Sequence, residues 1–403
     1  MTARRRNIWC SGLFALMSAA TVTSAPPAFA DAPTHVGAAR LEASSFGALA
    51  GWAADDHGAA FRAFRRTCEA IVAGRAALRR GLAASQRLQA VCRAAVTLPA
   101  APDAATARAF FERHFMPHAV VLPDGEGFLT GYYEPEFDGA LARTDRFSAP
   151  LLARPEDLVT LKPGESLPGL DPTLTGARLG PRGYEPYPDR AAIEDGALGE
   201  KANPLVYLDP IEAFLAHVQG SVRVRLPDGR RLRFAYDGRN GQPYASVGRL
   251  VAEETGLPPA ELTTDRLVAW LRAHPADARR LMRQNRSYIF FRRADELRPE
   301  HGPLGAAAVQ LVPGRSIAVD RTLWPYALPF WIEAELPEPD AGTATLRRLM
   351  IAQDTGSAIL GPARADIFFG SGPEAGLRAG LVRHPGRFVV LLPRDPGEGG
   401  RER

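Results

Sequence analysis

The pattern of apolar and polar positions divides the chain into a helical first part and a strand-rich remainder. Residues 57–95 are rich in Ala and Arg, and their apolar side chains recur at helical spacing, which predicts helices. The segment 106–115 predicts a further amphipathic helix, with Asp103 or Thr106 as its cap. From Val120 onward, β-forming residues alternate with Asp-Gly turns, so strands are predicted to begin there.

The middle of the chain predicts an irregular region followed by short regular elements. Residues 147–200 are rich in Pro and Gly with little periodicity, which indicates long loops or a small irregular β region. A short helix is predicted over 209–220, and a hairpin with a Pro-Asp-Gly turn over 221–238. The segment 264–284 is predicted to be helical and divided at Pro275.

Short apolar runs separated by turns dominate the last hundred residues. Their number and spacing favour a small β-barrel over an α/β sheet. The runs are AAAVQLV, SIAVD, FWIEAEL, RLMIAQD, ADIFFG and RFVVLLP.

The first 30 residues predict a secretory signal that is cleaved before Asp31. A basic start is followed by a short apolar run and by the small-x-small sequence Ala28-Phe29-Ala30. The apolar run is too short for a bilayer span. Cys10 precedes this run, so it is not placed as a lipoprotein cysteine. The residue directly after the signal is Asp31.

Export changes how the two remaining cysteines are interpreted. Cys68 and Cys92 lie on two predicted helices joined by a Gly-containing stretch, and an exported chain meets an oxidising compartment. We therefore predict a disulfide, with two buried free thiols as the alternative.

Charge and motif content exclude several classes of function. Removing the three arginines of the signal from 49 basic residues leaves 46, against 45 acidic residues, so charge gives no argument for nucleic acid. The sequence has no Cys/His cluster at metal spacing, no G-x-S-x-G and no H-E-x-x-H. Carboxylates remain as the candidate chemistry, which is the pattern expected for cleaving glycosidic bonds.

Two aspartates stand out among these carboxylates. Asp354 and Asp366 lie on either side of a Gly/Pro turn in AQDTGSAILGPARADIFFG, and each meets an apolar run, where an unpartnered charge is costly. Stretches rich in Tyr, Asn, Gln and Gly accompany them, and such side chains suit sugars. The alternative is that these tyrosines pack a β-core. The stretches are TGYYEPEF, HVQGS, YDGRNGQPYASVG and NRSY.

Six ordered motifs over roughly residues 125–390 resemble the membrane-bound lytic transglycosylase A (MltA) family. They are TGYYEP, AFLAHVQGSVRV, YDGRNGQPYASVG, NRSYIFFR, GRSIAVDRTLWP and AQDTGSAILGPARADIFFGSGPEAG. The C-terminal part resembles the 3D domain, named for three aspartates, which here would be Asp320, Asp354 and Asp366.

The resemblance implies a mainly β fold with N-terminal helices. It would combine a double-psi β-barrel with a smaller inserted β-domain and a groove between them for a glycan strand. No cofactor or metal is implied. The expected regions are a signal (1–30), a helical N-terminal region (31–118), an MltA-type region with the insertion (119–290), the 3D barrel (291–395) and a tail (396–403).

The resemblance also implies a reaction on peptidoglycan. The family cleaves the β-1,4 bond between N-acetylmuramic acid (MurNAc) and N-acetylglucosamine (GlcNAc), and leaves a 1,6-anhydro sugar. Asp366 matches the single general acid and base, which needs a raised pKa, and Asp354 matches its electrostatic partner. Asp320 is expected to be structural, and Glu374 is the main rival for the acid.

The groove contacts carry over motif by motif, and for Tyr132, Tyr133 and Tyr244 a place in the core is the alternative. They are Thr130, Gly131, Tyr132, Gln219, Ser221 and Tyr244. Two other hypotheses stay open, namely a non-catalytic peptidoglycan-binding barrel and a hydrolytic muramidase, for which Glu134 or Glu136 would position the water.

The expected setting follows from export and from the resemblance. We expect a periplasmic monomer that binds glycan strands and not nucleic acid, with peripheral association to the outer membrane or wall. Cell-wall synthesis or scaffold proteins are candidate partners.

Overall fold

The fold is seen in a computed structural model that describes residues 35–161, 165–258, 262–339 and 342–394. The predicted signal, including Cys10 and the cleavage site, lies outside the described residues, as does the predicted tail.

Helices form in the segments 57–95, 106–115, 209–220 and 264–284, where the sequence predicts them, whereas the helix at Pro373–Leu381 was not predicted. Asp103 accepts the N–H of Thr106 and caps the third helix, while Asp209 caps the fifth, so both ends are set by side-chain acceptors. The helices of the described residues are α1 (His57–Val72), α2 (Gln86–Thr97), α3 (Ala104–His114), α4 (Arg190–Glu194), α5 (Pro210–Gln219), α6 (Val247–Thr255), α7 (Thr264–Ala273), α8 (Pro275–Gln284) and α9 (Pro373–Leu381).

Strands make up most of the remaining regular structure. In chain order they are β1 (His35–Val36), β2 (Ala39–Ala43), β3 (Phe115–Val121), β4 (Gly127–Glu134), β5 (Glu136–Asp138), β6 (Ala149–Leu152), β7 (Val159–Thr160), β8 (Gly176–Gly180), β9 (Gly183–Pro186), β10 (Pro204–Leu208), β11 (Ser221–Arg225), β12 (Arg231–Arg239), β13 (Ile289–Arg293), β14 (Ser316–Val319), β15 (Pro329–Glu338), β16 (Gly342–Asp354), β17 (Arg364–Ser371) and β18 (Arg383–Pro393).

A closed barrel of six strands forms the centre of the fold. Its strands follow the order β18, β15, β16, β14, β17 and β4, and a pairing of β4 with β18 closes the ring. Apolar side chains of these strands, including Trp331, Ile351 and Val389, are fully buried in the main hydrophobic core of the fold. The predicted small barrel is therefore confirmed.

One of the six predicted C-terminal strands is wrong. The run AAAVQLV forms turns, with Ala308 at a φ of 59°. Two hydrogen bonds hold its backbone to the end of β16. The N–H of Ala306 donates to Asp354 Oδ1, and the N–H of Ala307 donates to the carbonyl of Gln353. The apolar run is buried as a loop, against Ala70 and Tyr326, rather than as a strand.

The region predicted to be helical before residue 118 also contains strands. β2 pairs with β3, and β3 pairs with β18, so both extend the barrel sheet. β3 starts at Phe115, earlier than the predicted start at Val120, because Phe115 packs in the aromatic core beneath α1 and α3. A disulfide joins Cys68 of α1 to Cys92 of α2, and both residues are buried.

Between β4 and β14 the chain builds separate sheets on their own apolar cores. The largest has the order β13, β12, β11 and β5, and it contains the predicted hairpin. The described residues of the segment 147–200 form short strands and the short helix α4, as the irregular pattern of this segment indicated. These sheets and helices form the inserted region, and they face the barrel across a groove.

Candidate active site

A groove with a volume of about 510 Å³ lies between the barrel and the inserted region. Both parts of the fold contribute polar side chains to it, which is typical of a binding site for a polar ligand. The predicted site residues that line it are Thr130, Gly131, Tyr132, Gln219, Ser221, Tyr244, Asp354 and Asp366.

The two aspartates lie on strands that are not paired with each other. β16 and β17 flank β14, and both Asp354 and Asp366 are in register with the same residue, Ala318. Two strand spacings therefore separate their backbones, about 10 Å. The small side chain of Ala318 lines the groove between them, so both carboxyl groups face one space.

Asp366 is held through one of its two oxygens. Thr130, opposite it on β4, donates its hydroxyl to Asp366 Oδ1 at 2.6 Å. Arg364 in turn donates to Thr130 Oγ1 at 2.8 Å. Burial raises the pKa of Asp366 to about 6, against the opposing effects of the Thr130 hydrogen bond and the Arg364 charge. The charge of Asp354 also raises this pKa, but its effect is smaller than that of burial.

Asp354 is held through both oxygens. Oδ1 accepts the backbone N–H groups of Ala306 and Thr355 at 2.9 and 2.8 Å, and Oδ2 accepts the hydroxyl of Tyr132 at 2.9 Å. Burial raises the pKa of Asp354, whereas the charge of Arg79 and these donors favour the ionised form. Three donors fit a carboxylate, which accepts on both oxygens and has no proton to give.

The hydrogen bonds distinguish the two carboxyl groups chemically. Within the described residues, Asp366 Oδ2 has no hydrogen-bond partner, so it can carry a proton and present it to a ligand in the groove. Asp354 has no oxygen left without a donor. The geometry suits Asp366 for proton transfer and Asp354 for a fixed negative charge.

The other carboxylates of the sequence analysis lie elsewhere. Glu134 is fully buried and bonded to Arg223, Arg233 and Ser371. Glu136, Glu374 and Asp320 do not line the groove; among its described lining residues, the two aspartates above are the only acids.

Asp320 has a local role in the fold. It accepts the Thr322 N–H and hydroxyl, and its other oxygen accepts the Gly361 N–H. These bonds tie the turn after β14 to the loop before β17.

Two glycines shape the groove. A Cβ on Gly131 would lie 2.7 Å from the backbone of Ala379, so only glycine lets β4 pass α9 at this distance. Gly220 has a φ of 79° and ends α5, which turns the chain so that Gln219 and Ser221 both face the groove. Gln219 also accepts the N–H of Tyr133 at 3.5 Å.

The amide-rich stretches bond mainly to the protein itself. Asn240 donates to the carbonyls of Pro188 and Arg286, and Gln242 donates to that of Tyr187. Asn285 accepts the N–H groups of Ala245 and Ser287. These amides hold the loops on which Tyr244 and Ser246 line the groove, and Asn285 lines it as well.

Sequence reasoning missed four arginines that line the groove, Arg79, Arg239, Arg364 and Arg383. Arg79 lies in an Ala/Arg-rich stretch whose pattern gave no indication of a site. Arg364 precedes Asp366 by two residues, and alternation along β17 was the one signal that could have placed both on the same face.

The described part of the chain contains no group of three or more His, Cys, Asp or Glu side chains placed to hold a metal ion. Among the same residues, no helix combines the length and apolar character needed to cross a bilayer.

Comparisons with known proteins point to one family. The model of the MltA specific insert domain matches residues 128–292, and that of the 3D domain matches residues 315–392. Over 276 residues the chain is 32% identical to membrane-bound lytic murein transglycosylase A of Escherichia coli K12, covering 67% of each protein.

Solved structures agree with this match. A membrane-bound lytic murein transglycosylase from Agrobacterium tumefaciens has a TM-score of 0.79 and 35% identity, covering 88% of this chain and 98% of that one. E. coli MltA with bound chitohexaose has a TM-score of 0.61 and 26% identity, covering 90% of this chain and 96% of that one.

Proposed function

We propose a mechanism from the premise that the chain belongs to the membrane-bound lytic murein transglycosylase A (MltA) family. It is a lytic murein transglycosylase that acts on peptidoglycan. We propose that it cleaves the MurNAc-β-1,4-GlcNAc bond without water and leaves 1,6-anhydroMurNAc ends, with Asp366 as the only acid and base.

The reaction needs one carboxyl group in two roles. Protonated Asp366 gives its proton to the glycosidic oxygen as the C1–O bond breaks, and GlcNAc leaves with a free hydroxyl at C4. The resulting carboxylate then takes the proton of the C6 hydroxyl, and O6 bonds to C1 of the same sugar. Asp366 is protonated again, and the intramolecular nucleophile brings a high effective concentration.

The observation that supports this assignment is the unpartnered Asp366 Oδ2 in a groove without a third carboxylate among its described residues. A retaining or inverting hydrolase uses a second carboxylate as nucleophile or to activate water. Asp354 is a poor candidate for either role, because three donors occupy its oxygens. Its fixed charge would instead stabilise the positive charge that develops at C1.

The groove residues are proposed to bind the glycan strand. The chitohexaose in the related E. coli structure is a GlcNAc chain, which fits this assignment. Ser221, Gln219 and the half-exposed Tyr244 would bond hydroxyl and acetamido groups.

The relatives' membrane-bound character indicates a location in the cell envelope. We propose that this chain works in the periplasm as a monomer, after cleavage of its signal, and associates peripherally with the outer membrane or wall. Synthesis or scaffold proteins stay candidate partners.

Digestion of purified peptidoglycan followed by mass spectrometry of the products tests the proposed reaction. We expect muropeptides with anhydro ends, because O6 replaces water as the nucleophile. Reducing ends would instead indicate a hydrolase, and a lack of products under conditions where the protein binds strands would indicate a binding module.

The pH dependence of cleavage should follow the proton on Asp366. Since the protonated form is the active acid and its pKa is about 6, kcat/KM should fall as pH rises above 6, approaching tenfold per pH unit. The Thr130→Val variant loses the hydrogen bond that lowers this pKa. The fall of its kcat/KM with pH should therefore begin at a higher pH than in the wild type. If kcat/KM fell over the same pH range in both proteins, the ionising group would be one other than Asp366.

A further inference from the structure

The linker between α1 and α2, residues 73–85, runs along the barrel to the groove. We call this segment the strap. Leu78 and Arg79 of the strap line the groove. The Arg79 N–H donates to the Ala306 carbonyl at 3.3 Å, and the Arg79 carbonyl accepts the Tyr326 hydroxyl at 2.9 Å. The Cys68–Cys92 disulfide closes the loop that contains the strap. The position of Arg79 is therefore fixed by several independent bonds.

The Arg79 side chain is positioned beside the loop that follows Asp354. Its Nη1 donates to the Thr355 carbonyl at 3.1 Å, and its guanidinium lies 4.6 Å from the ring centre of Tyr236. Stacking on the ring and a single carbonyl bond leave most of its side-chain N–H groups without an acceptor among the described residues.

A second arginine binds the same loop from the inserted region. Arg239 Nη1 donates to Ser357 Oγ at 3.0 Å, and its Nη2 donates to Thr175 Oγ1 at 2.9 Å. Within the described residues, neither Arg239 nor Arg79 has a carboxylate within ion-pair distance. Two guanidinium groups thus face the groove from opposite parts of the fold, each without an ion-paired carboxylate among the described residues, although the charge of Arg79 also acts on Asp354. This arrangement favours an anionic ligand.

The substrate of the proposed function carries such an anion only on its muramic acid residues. In peptide-free strands the lactyl ether ends in a carboxylate. In peptide-bearing strands this carboxyl is an amide, and the nearest carboxylates belong to the stem. Plain GlcNAc chains carry no carboxylate. Resting on the proposed function, we propose that Arg79 and Arg239 bind the carboxylate of the muramic acid substituent and so select murein over uncharged GlcNAc polymers.

The Arg79→Gln and Arg239→Gln variants test this selection. KM should be measured on peptide-free and on peptide-bearing murein strands, and Kd on chitohexaose. Each variant should raise KM for murein about tenfold, as expected when a charge-assisted bond is lost, with an unchanged Kd for chitohexaose. Arg80→Gln, an exposed neighbour on the strap, is the matched control and should leave both constants unchanged.

The pattern of outcomes identifies the anion and separates the rival role. If KM rises only for peptide-free strands, the anion that the arginines bind is the lactyl carboxylate. If it rises only for peptide-bearing strands, the anion is a carboxylate of the peptide stem. An unchanged KM on both, or an equal loss of chitohexaose affinity, overturns the proposal. A loss of kcat with unchanged KM also overturns it, because Arg79 would then act only through Asp354. Anhydro ends in wild-type digests show separately whether the proposed reaction holds.

Discussion

Replacing Asp366 by Asn is expected to lower the rate of strand cleavage by roughly 10²–10⁴-fold, the usual contribution of a general acid or base. Asn keeps the size of the side chain and an oxygen that can accept the Thr130 hydroxyl. It cannot give a proton to the glycosidic oxygen or take one from the C6 hydroxyl, so both halves of the proposed reaction are affected.

The measurement is the initial rate of release of anhydro-muropeptides from purified sacculi. Chitohexaose binding serves as the control, since the groove should be intact and its Kd unchanged. Near-normal cleavage by Asp366→Asn, together with a severe loss in Asp354→Asn, would reverse the two assigned roles.

The same substitution should not weaken the fold. The pKa of Asp366 is raised from 3.8 to about 6, so between these pH values the folded state binds more protons than the unfolded state. Ionisation of Asp366 therefore lowers wild-type stability as pH rises through this window. Asn does not ionise, so thermal unfolding at pH 7 should occur at the same temperature as in the wild type or a higher one.

Replacing Glu134 by Gln is expected to lower the free energy of unfolding by about 3–5 kcal/mol, the range for one broken buried ion pair. Glu134 ends barrel strand β4 and is fully buried. It binds Arg233 through both oxygens at 2.7 and 2.6 Å, and Arg223 at 2.8 Å. Gln removes the negative charge that pairs with both arginines of the inserted sheet. Its NH₂ group would also face arginine N–H groups, so that two donors would meet without an acceptor.

Glu136→Gln is the matched control, two residues away. Its partner Arg231 lies 3.6 Å away and is 65% exposed, so the loss should be about 1 kcal/mol or less. Urea unfolding of both variants gives the comparison. Equal midpoints would show that the buried cluster contributes little to joining the inserted region to the barrel. Glu136→Gln should also cleave strands normally, whereas a large loss would favour the hydrolytic alternative.

The sequence indicated the position of the site better than the roles of its residues. The amides of Asn240, Gln242 and Asn285 marked the right loops, yet their partners are backbone groups of the protein. Composition shows that polar groups cluster, but only tertiary contacts show whether they are already satisfied. Arg79 was missed for the opposite reason, because an arginine in a helical, Arg-rich stretch is normally solvated.

The sequence by itself determined the elements with strong local signals. Apolar spacing and caps such as Asp103 and Asp209 located most of the helices, though not the one at Pro373–Leu381. Alternation with turns located the hairpin and five of the six C-terminal strands. These signals are local, since propensity, capping and alternation act over a few residues. The ordered motifs also identified the family.

Tertiary structure alone decided what happens around Asp354 and Asp366. The insertion of β14 between their strands, with Ala318 opposite both, is a pairing of segments far apart in the chain. The same holds for the run from Ala306, which forms a loop whose first N–H donates to Asp354. Burial raises the pKa of Asp366, and this burial arises from several segments that meet at the groove and from no single one of them. The chemistry of the two carboxyl groups therefore depends on contacts that the local pattern cannot encode.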